Sequence, residues 1–386
     1  MKKLKIYITQ MGHPAFRGGG NTVSNSLSES FVKRGHAVTS IYLAPKHLMS
    51  NMPRTLYGLI IEKASIIPII NCFKIAAIIK KLLNNEKEKP DAIISFGYEG
   101  FFIPSVKRES IFIAASHNFI RDIGIKDFFS WKWLNPLNGG KLLYLSSVLI
   151  DKLTKLKADF VQCLCRFGAD RCETIYKLSS KKIFIIPNGV DMEKFAVRPT
   201  PKKKTILFIG GSAEHKGLDI LIKALLFIVK KHPNAEVVVL GEMNKRKEML
   251  VQMAEKIGVS SKIKWIGLVF QKEIFSFYRE AYLVVLPSRL DLFPLTVLEA
   301  MAYGIPIVAA NVGGIPEIIN NKVNGIIINS EDSYGFAKSI IELLDNRKKA
   351  EEIGRNGRTT VEQKFTWEKV VEKYEKEIYS HLNHKS

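Results

Sequence analysis

The chain has 386 residues, 46% of them hydrophobic and 25% charged, which excludes a disordered chain and exceeds what one core ordinarily holds, so two domains are expected. Its net charge is +21, with 28 Lys and Arg against 13 Asp and Glu through Val190 and 30 against 24 beyond it. A basic excess centred on the first half points to an anionic partner, although richness in Lys, Ile and Asn throughout is a competing explanation, and the absence of helix-turn-helix, zinc-finger or RNA-binding aromatic patterns argues against nucleic acid.

The opening MKKLKIYITQMG contains a short apolar strand, Leu4 to Thr9, and no small-residue cleavage site, so it is not read as a signal peptide. Gln10 to Gly20 joins that strand to a helix over Thr22 to Lys33. The segment is too long and wrongly spaced for a Gly-x-Gly-x-x-Gly turn. Its closing glycines nevertheless permit close backbone approach, and the helix start beyond them favours an anion. A second strand follows at Ala37 to Leu43. Ala64 to Leu83 is apolar but interrupted by Pro68, Asn71 and Lys74, short of the roughly 20 clean residues a membrane span needs. It reads either as an interfacial helix with Lys74, Lys80 and Lys81 along it, or as an ordinary helix covering a sheet. Further strands are expected at Asp91 to Phe96, Ile111 to Ala115 and Phe160 to Leu164. His117 lies just past the second of these, where an imidazole can donate to a hydroxyl or phosphate oxygen, or be merely structural. Cys72, Cys163, Cys165 and Cys172 offer three ligands at most in one neighbourhood, so free thiols in a reducing cytosol are expected rather than a metal site.

The pattern restarts after Ile183 to Asp191, with Arg198 to Lys204 as a polar linker. Strands are expected at Thr205 to Ile209, Ala235 to Leu240, Lys262 to Ile266, Ala281 to Leu286 and Ile305 to Ala309, with helices between. Both halves therefore read as doubly wound α/β domains, whose ligands collect at the strand C-termini. The loop Gly210 to Gly217 precedes a helix over Leu218 to Lys230. Lys216 at its mouth suits a phosphate, or is simply a solvated lysine. Trp265, Phe270 and Tyr282 read as core aromatics. In SRLDLFPLTVLEAMA, from Ser288 to Ala302, Pro294 stands near the first turn of a helix over Thr296 to Tyr303 that stops at Gly304. The N–H groups of Leu295 and Thr296 suit a phosphate, and Asp291 and Glu299 suit hydroxyl-rich ligands. In the alternative, Asp291 caps the helix and Glu299 forms a surface ion pair. A last helix, Trp367 to Leu382, has Val370, Val371, Tyr374, Ile378 and Tyr379 at helical spacing.

Asp291, Glu299-Ala300-Met301-Ala302, Gly304-Ile305-Pro306-Ile307 and Gly313-Gly314-Ile315-Pro316-Glu317 resemble, in order, the donor region of the retaining glycosyltransferases of the GT-B fold, family 4 class. Pro187-Asn188-Gly189-Val190-Asp191 is similar to the end of that family's first domain. Two positions depart from the pattern. Asp291 stands where most members have glutamate, which bears on sugar choice, and Gly211 occupies the place of a diphosphate-clamping arginine. The resemblance implies an α/β fold of GT-B architecture, two doubly wound Rossmann-like domains facing across a cleft. Residues 1–190 form the acceptor side, 191–365 bind the donor, and 366–386 are a helix crossing back.

It further implies that His117, Lys216 and Asp291 are catalytic. Gly19, Gly20, Gly210, Gly211, Gly267, Leu268, Phe293, Leu295, Thr296 and Glu299 would bind the donor, with Glu299 on the ribose, the main chain of Gly267 and Leu268 near the base, and Gly19 and Gly20 bordering the cleft. Either Arg17, another basic group from the first domain or glycine-loop N–H groups replace the missing arginine, or catalysis is weak. No cofactor or essential metal is expected. The implied activity is hexosyl transfer (EC 2.4) with retention from a nucleotide diphosphate sugar, UDP by family frequency, to a surface polysaccharide or lipid-linked glycan. The basic first half suggests a lipid-diphosphate-linked or otherwise anionic acceptor, and a place in the cytoplasm, either free or peripheral on the anionic inner face of the plasma membrane. Two rivals stand beside this reading: a catalytically inactive scaffold of the same fold, and a nicotinamide-dependent oxidoreductase, for which the Gly-x-Gly-x-x-Gly turn and the acidic ribose residue are missing.

Overall fold

The apolar runs of the first half form a parallel sheet. In a computed structural model, which describes residues 2–11, 19–44, 60–63, 68–85, 89–107, 109–116, 140–196, 201, 203–269 and 271–383, its strands are β1 (Lys5–Met11), β2 (Ala37–Ala44), β3 (Ile60–Lys63), β4 (Ala92–Ser95), β5 (Ile111–Ser116), β6 (Phe160–Cys163) and β7 (Ile183–Ile185). Their spatial order is β3-β2-β1-β4-β5-β6-β7. Every residue of β4 and β5 is buried, as expected of parallel strands covered on both faces by helices. The order reverses beside β1, and the β1 and β4 C-termini meet there.

The second half repeats the plan. β8 (Thr205–Ile209), β9 (Glu236–Leu240), β10 (Ile263–Gly267), β11 (Leu283–Leu286), β12 (Ile307–Ala310) and β13 (Ile326–Ile328) lie in the order β10-β9-β8-β11-β12-β13. The reversal falls between β8 and β11, which pair in parallel through Ile206 with Leu283 and Leu207 with Val284. The helix Leu218–Lys231 lays Ile220, Leu221, Ala224, Leu225 and Ile228 on this sheet. β3 and β13 were not expected from the sequence. Both are three- or four-residue strands at sheet edges, too short to carry a period.

The chain divides into two units, Met1–Asn188 with Trp367–Ser386, and Gly189–Thr366. The division is marked by Val190, which bridges Thr366 and donates its N–H to the Phe365 carbonyl at 2.9 Å. The closing helix, Trp367–Asn383, buries Val370, Val371, Tyr374 and Ile378 and packs on the Gly19–Lys33 helix. Its Glu375 accepts from Arg34 Nε at 3.0 Å and Nη2 at 2.8 Å, and lies 2.6 Å from His36 Nε2. Because His36 Nδ1 accepts from the Leu4 N–H, Nε2 carries the proton and donates to the carboxylate.

The helix Pro68–Asn85 starts at its proline, a residue suited to a first helical position. It buries Cys72, Ile75, Ala76, Ile79 and Leu83 and leaves Phe73, Lys80 and Lys81 exposed. Both readings of this segment thus have a face: one covers the sheet and the other meets water. The four cysteines are free and buried. Among the described residues no helix is long and apolar enough to cross a membrane.

Candidate functional site

Because β8 and β11 are neighbours, the loops that leave their C-termini lie side by side. The first, Gly210 to Gly217, carries Lys216, and the second, Pro287 to Pro294, carries Asp291. Lys216 Nζ donates to Asp291 Oδ2 at 2.8 Å, and Ser288 Oγ donates to the same oxygen at 3.1 Å. Lys216 retains 25% side-chain exposure and Asp291 13%. Asp291 does not cap the following helix: the N-cap is Pro294, with no side-chain hydrogen bond. Its backbone is instead seated by the glycine pair downstream. Gly314 N donates to the Asp291 carbonyl at 3.2 Å. Gly313, at φ +55°, has no room for a Cβ, which would run into that carbonyl oxygen.

Arg289 staples the two loops. Its N–H donates to the His215 carbonyl at 2.7 Å and its guanidinium to the Glu214 carbonyl at 2.8 Å. It grips Asp219 through two bonds of 2.9 and 2.7 Å and also pairs with Glu331. The Asp219 hydrogen bonds hold the guanidinium well above its usual range, so it stays charged. Burial would raise the Asp219 carboxyl, but Arg289 outweighs it and holds the group below the usual carboxylate range. Engaged in this way, Arg289 does not stand in for the arginine missing at Gly211.

Gly211 itself has φ +60°, and a Cβ there would collide with the Glu242 backbone. The N–H groups of Gly210 and Gly211 donate to the Leu240 carbonyl at 2.9 and 2.8 Å, and that of Ser212 to Glu242 at 3.0 Å. The expectation that glycine-loop N–H groups replace the arginine therefore fails at these three positions, whose donors are spent on the neighbouring strand and the turn beyond it.

The helix Leu295–Ala302 starts beside Asp291. Val297 N returns to the Pro294 carbonyl at 3.1 Å, so the N–H groups of Leu295 and Thr296 precede the first intrahelical bond, at the positive end of the helix. Phe293 is buried edge-on against Phe365, ring centroids 5.6 Å apart. Glu299, on the same helix, is 7% exposed and is no surface ion pair. Tyr278, fully buried and stacked on Tyr303 at 5.5 Å, donates its hydroxyl to Glu299 Oε2 at 2.7 Å. Burying a carboxylate costs free energy unless it is hydrogen-bonded, and the tyrosine offsets that cost while aiming the group.

Gly267 ends edge strand β10, its carbonyl accepting from Gly241 N at 2.8 Å, and Leu268 beyond it is 71% exposed. They stand two strands, about 10 Å, from β8. Gly19 and Gly20 open the Gly19–Lys33 helix of the first unit rather than forming a loop before it. His117, Arg17 and Phe270 lie outside the described residues. Tyr282 is buried with its hydroxyl on the Leu343 carbonyl, and Trp265 packs against the core. A cavity of about 410 Å³ bounded by Pro316, Asn320, Asn324, Thr360 and Lys364 includes none of the expected site residues. Among the described residues no three His, Cys, Asp or Glu side chains form a group able to hold a metal ion.

Sequence reasoning missed Tyr278, Arg289 and Glu99. The first two act on partners 21 and 70 positions away, beyond any local pattern. Glu99 follows β4 at the first unit's reversal point, 1% exposed, with Ser95 Oγ 3.3 Å away.

Residues 190–360 match the family model described as Glycosyl transferases group 1, and residues 17–194 match that of Glycosyltransferase Family 4. An uncharacterized glycosyltransferase of Methanocaldococcus jannaschii is 29% identical over 212 residues, 51% of this chain and 54% of its own. The D-inositol 3-phosphate glycosyltransferase of Segniliparus rotundus is 30% identical over 206 residues, 50% of this chain and 46% of its own. The chain thus spans about half the length of the curated relatives it matches. Among solved structures, Anabaena HepE in complex with UDP and glucose aligns with a TM-score of 0.76 at 15% identity, over 98% of this chain and 100% of that one, a likeness of GT-B fold. The two family models meet where one unit gives way to the other and together run from residue 17 to residue 360: the chain belongs to the glycosyltransferases of group 1, the family 4 class.

Proposed function

We propose that the protein is a retaining glycosyltransferase that moves a sugar from a nucleotide diphosphate sugar, a UDP-sugar in the first instance, to a growing surface polysaccharide or lipid-linked glycan. The observation that carries this reading is the Lys216–Asp291 pair beside the first turn of the Leu295–Ala302 helix. An ammonium and two helix-start N–H groups make a seat for a diphosphate, and a carboxylate at the same point can take a hydroxyl of the sugar it bears. The name of the Segniliparus relative and the UDP and glucose crystallised with HepE support the same substrate class.

In this reaction the acceptor oxygen bonds to the anomeric carbon on the face the diphosphate vacates. The bond from that carbon to the phosphate oxygen breaks, its electron pair leaves with the diphosphate, and the acceptor proton passes to the departing oxygen. Lys216 and the N–H groups of Leu295 and Thr296 stabilise the charge as it grows. Asp291 orients the sugar, and Glu299, aimed by Tyr278, takes the ribose. Phe293 sets the approach to the helix start, while Gly267 and Leu268 meet the base by main chain. Gly210 and Gly211 let the backbone pass close to the donor, and His117, Gly19 and Gly20 keep the roles the resemblance implies. No step is assigned to a metal. The basic first half favours an acceptor on a lipid diphosphate, with the protein peripheral on the inner face of the plasma membrane.

Thermal stabilisation by a panel of nucleotide sugars tests the donor site, since a ligand that binds only the folded state raises its melting temperature. One nucleotide sugar should raise it, and release of nucleoside diphosphate should then depend on a glycan acceptor. Stabilisation with no release from any acceptor favours an inactive scaffold, to which Gly211 lends weight. No stabilisation by any member of the panel overturns the reading.

A further inference from the structure

Among the described residues of the first unit, five exposed large hydrophobic side chains stand on two helices: Ile70 and Phe73 on Pro68–Asn85, and Leu145, Leu149 and Leu156 on Gly140–Lys157. Phe73 is 57% exposed, Leu145 60% and Leu149 56%. On each helix they fall at spacings of three, four or seven, which is one face. The two faces are joined by an aromatic bridge. Phe73 stacks on Phe102 at 4.2 Å, Phe102 meets Phe101 at 4.8 Å, and Lys157 Nζ sits 4.0 Å over the Phe101 ring. The inner face of Pro68–Asn85 is largely apolar as well, with Cys72, Ile75, Ile79 and Leu83 buried in the unit, whereas Gly140–Lys157 turns Ser147, Asp151, Thr154 and Lys155 inward beside Ile150. A helix apolar on both sides has a second apolar environment to meet besides its own core.

Charge identifies that environment. The Pro68–Asn85 helix carries Lys74, Lys80 and Lys81 and no acid; Gly140–Lys157 carries Lys141, Lys152, Lys155 and Lys157 against Asp151 alone. Asp151 is itself buried in a hydrogen bond with Lys155, so the lysines toward solvent face no carboxylate on either helix.

We propose that this two-helix face is the surface by which the protein lies on an anionic lipid bilayer. Phe73, Leu145 and Leu149 enter the boundary between headgroups and acyl chains, and Lys80, Lys81, Lys152 and Lys157 meet lipid phosphates. The inference deepens the proposed function, on which it rests for its acceptor, by naming where the membrane is met.

Vesicle flotation of the full chain tests it. Binding is expected to vesicles of equal parts phosphatidylcholine and phosphatidylglycerol, weakened by added salt, and not to phosphatidylcholine alone. The variant Phe73→Ser/Leu145→Ser/Leu149→Ser should lose at least about tenfold in bound fraction at an unchanged melting temperature. Lys80→Glu/Lys81→Glu should lose the salt-sensitive part. Neither variant touches the donor site, so stabilisation by the nucleotide sugar should be unchanged in both. Wild-type protein that stays with the aqueous phase overturns the surface, as does a serine variant that floats like wild type; a face covered by another protein or a second copy would give the first result. Failure of every nucleotide sugar to bind would instead sink the functional reading and leave flotation intact.

Discussion

Lys216 Nζ and Asp291 Oδ2 are 2.8 Å apart across 75 positions of sequence. Each therefore holds the other in place before any donor arrives. If the proposed donor binds here, its diphosphate need not order a flexible lysine.

If the ammonium acts mainly on charge that grows as the bond to the diphosphate breaks, Lys216→Ala should lower kcat by about 10²–10³-fold while donor affinity changes by less than about tenfold. Steady-state rates set beside calorimetric donor titration separate the two. Weakened donor affinity at an unchanged kcat would instead make Lys216 a ligand of the bound donor with no special part in bond breaking.

Glu299→Gln is expected to weaken nucleotide binding about tenfold, since a charge-assisted bond to ribose becomes a neutral one. Tyr278→Phe should do the same more weakly, by about 1 kcal/mol, through loss of the 2.7 Å hydrogen bond that aims the carboxylate. Titration of the nucleotide alone reads both. Affinity unchanged in the first variant removes Glu299 from the site.

Restoring the family's arginine should not repair the clamp. Gly211→Arg puts a side chain on a left-handed backbone position and drives its Cβ into Glu242, at a cost of about 2 kcal/mol or more. Denaturant unfolding of the variant should show a destabilised second unit and turnover no higher than wild type. A variant as stable as wild type and faster would contradict this account of the loop.

Glu99 should make the first unit sensitive to alkali. Burial pushes its carboxyl from 4.5 up to about 7, more than Ser95 and Lys155 pull it down. A folded-state value above the unfolded one means the native protein holds the proton more tightly. The resulting stability is full below pH about 4.5 and is lost as pH rises through about 7, amounting to on the order of 3 kcal/mol. Glu99→Gln, which keeps shape and hydrogen bonding without the charge, should melt at a higher temperature than wild type at pH 8 and show a flatter profile from pH 5 to 8. Parallel melting profiles for the two proteins would show that Glu99 does not titrate there.

The central strands were legible because a parallel strand buried on both faces must be a short apolar run; β4, β5, β8 and β11 each begin and end within two residues of the stretch expected. The edge strands β3 and β13 were not, being short and bounded by ordinary residues. Lys216, Asp291 and Glu299 could be picked out because their loops and helix carry an ordered set of motif residues. What those side chains touch could not. The Lys216–Asp291 bond follows from which strands are neighbours, the Tyr278–Glu299 bond from the packing of two helices, and the engagement of the Gly210 and Gly211 N–H groups from a turn that needs the Leu240 carbonyl.

The bridge between Val190 and Thr366 brings together the two places where the chain passes from one unit to the other. Topologically, Gly189–Thr366 is a guest inserted into a host whose final helix is supplied only after the guest has been read through. The host therefore cannot close over Phe31 and His36 until residues some 340 positions downstream arrive, as the His36–Glu375 contact records. The guest, with its two ends already touching, is free to fold on its own schedule. Removing the final helix should thus unseat the unit at the opposite end of the sequence and spare the one beside the cut.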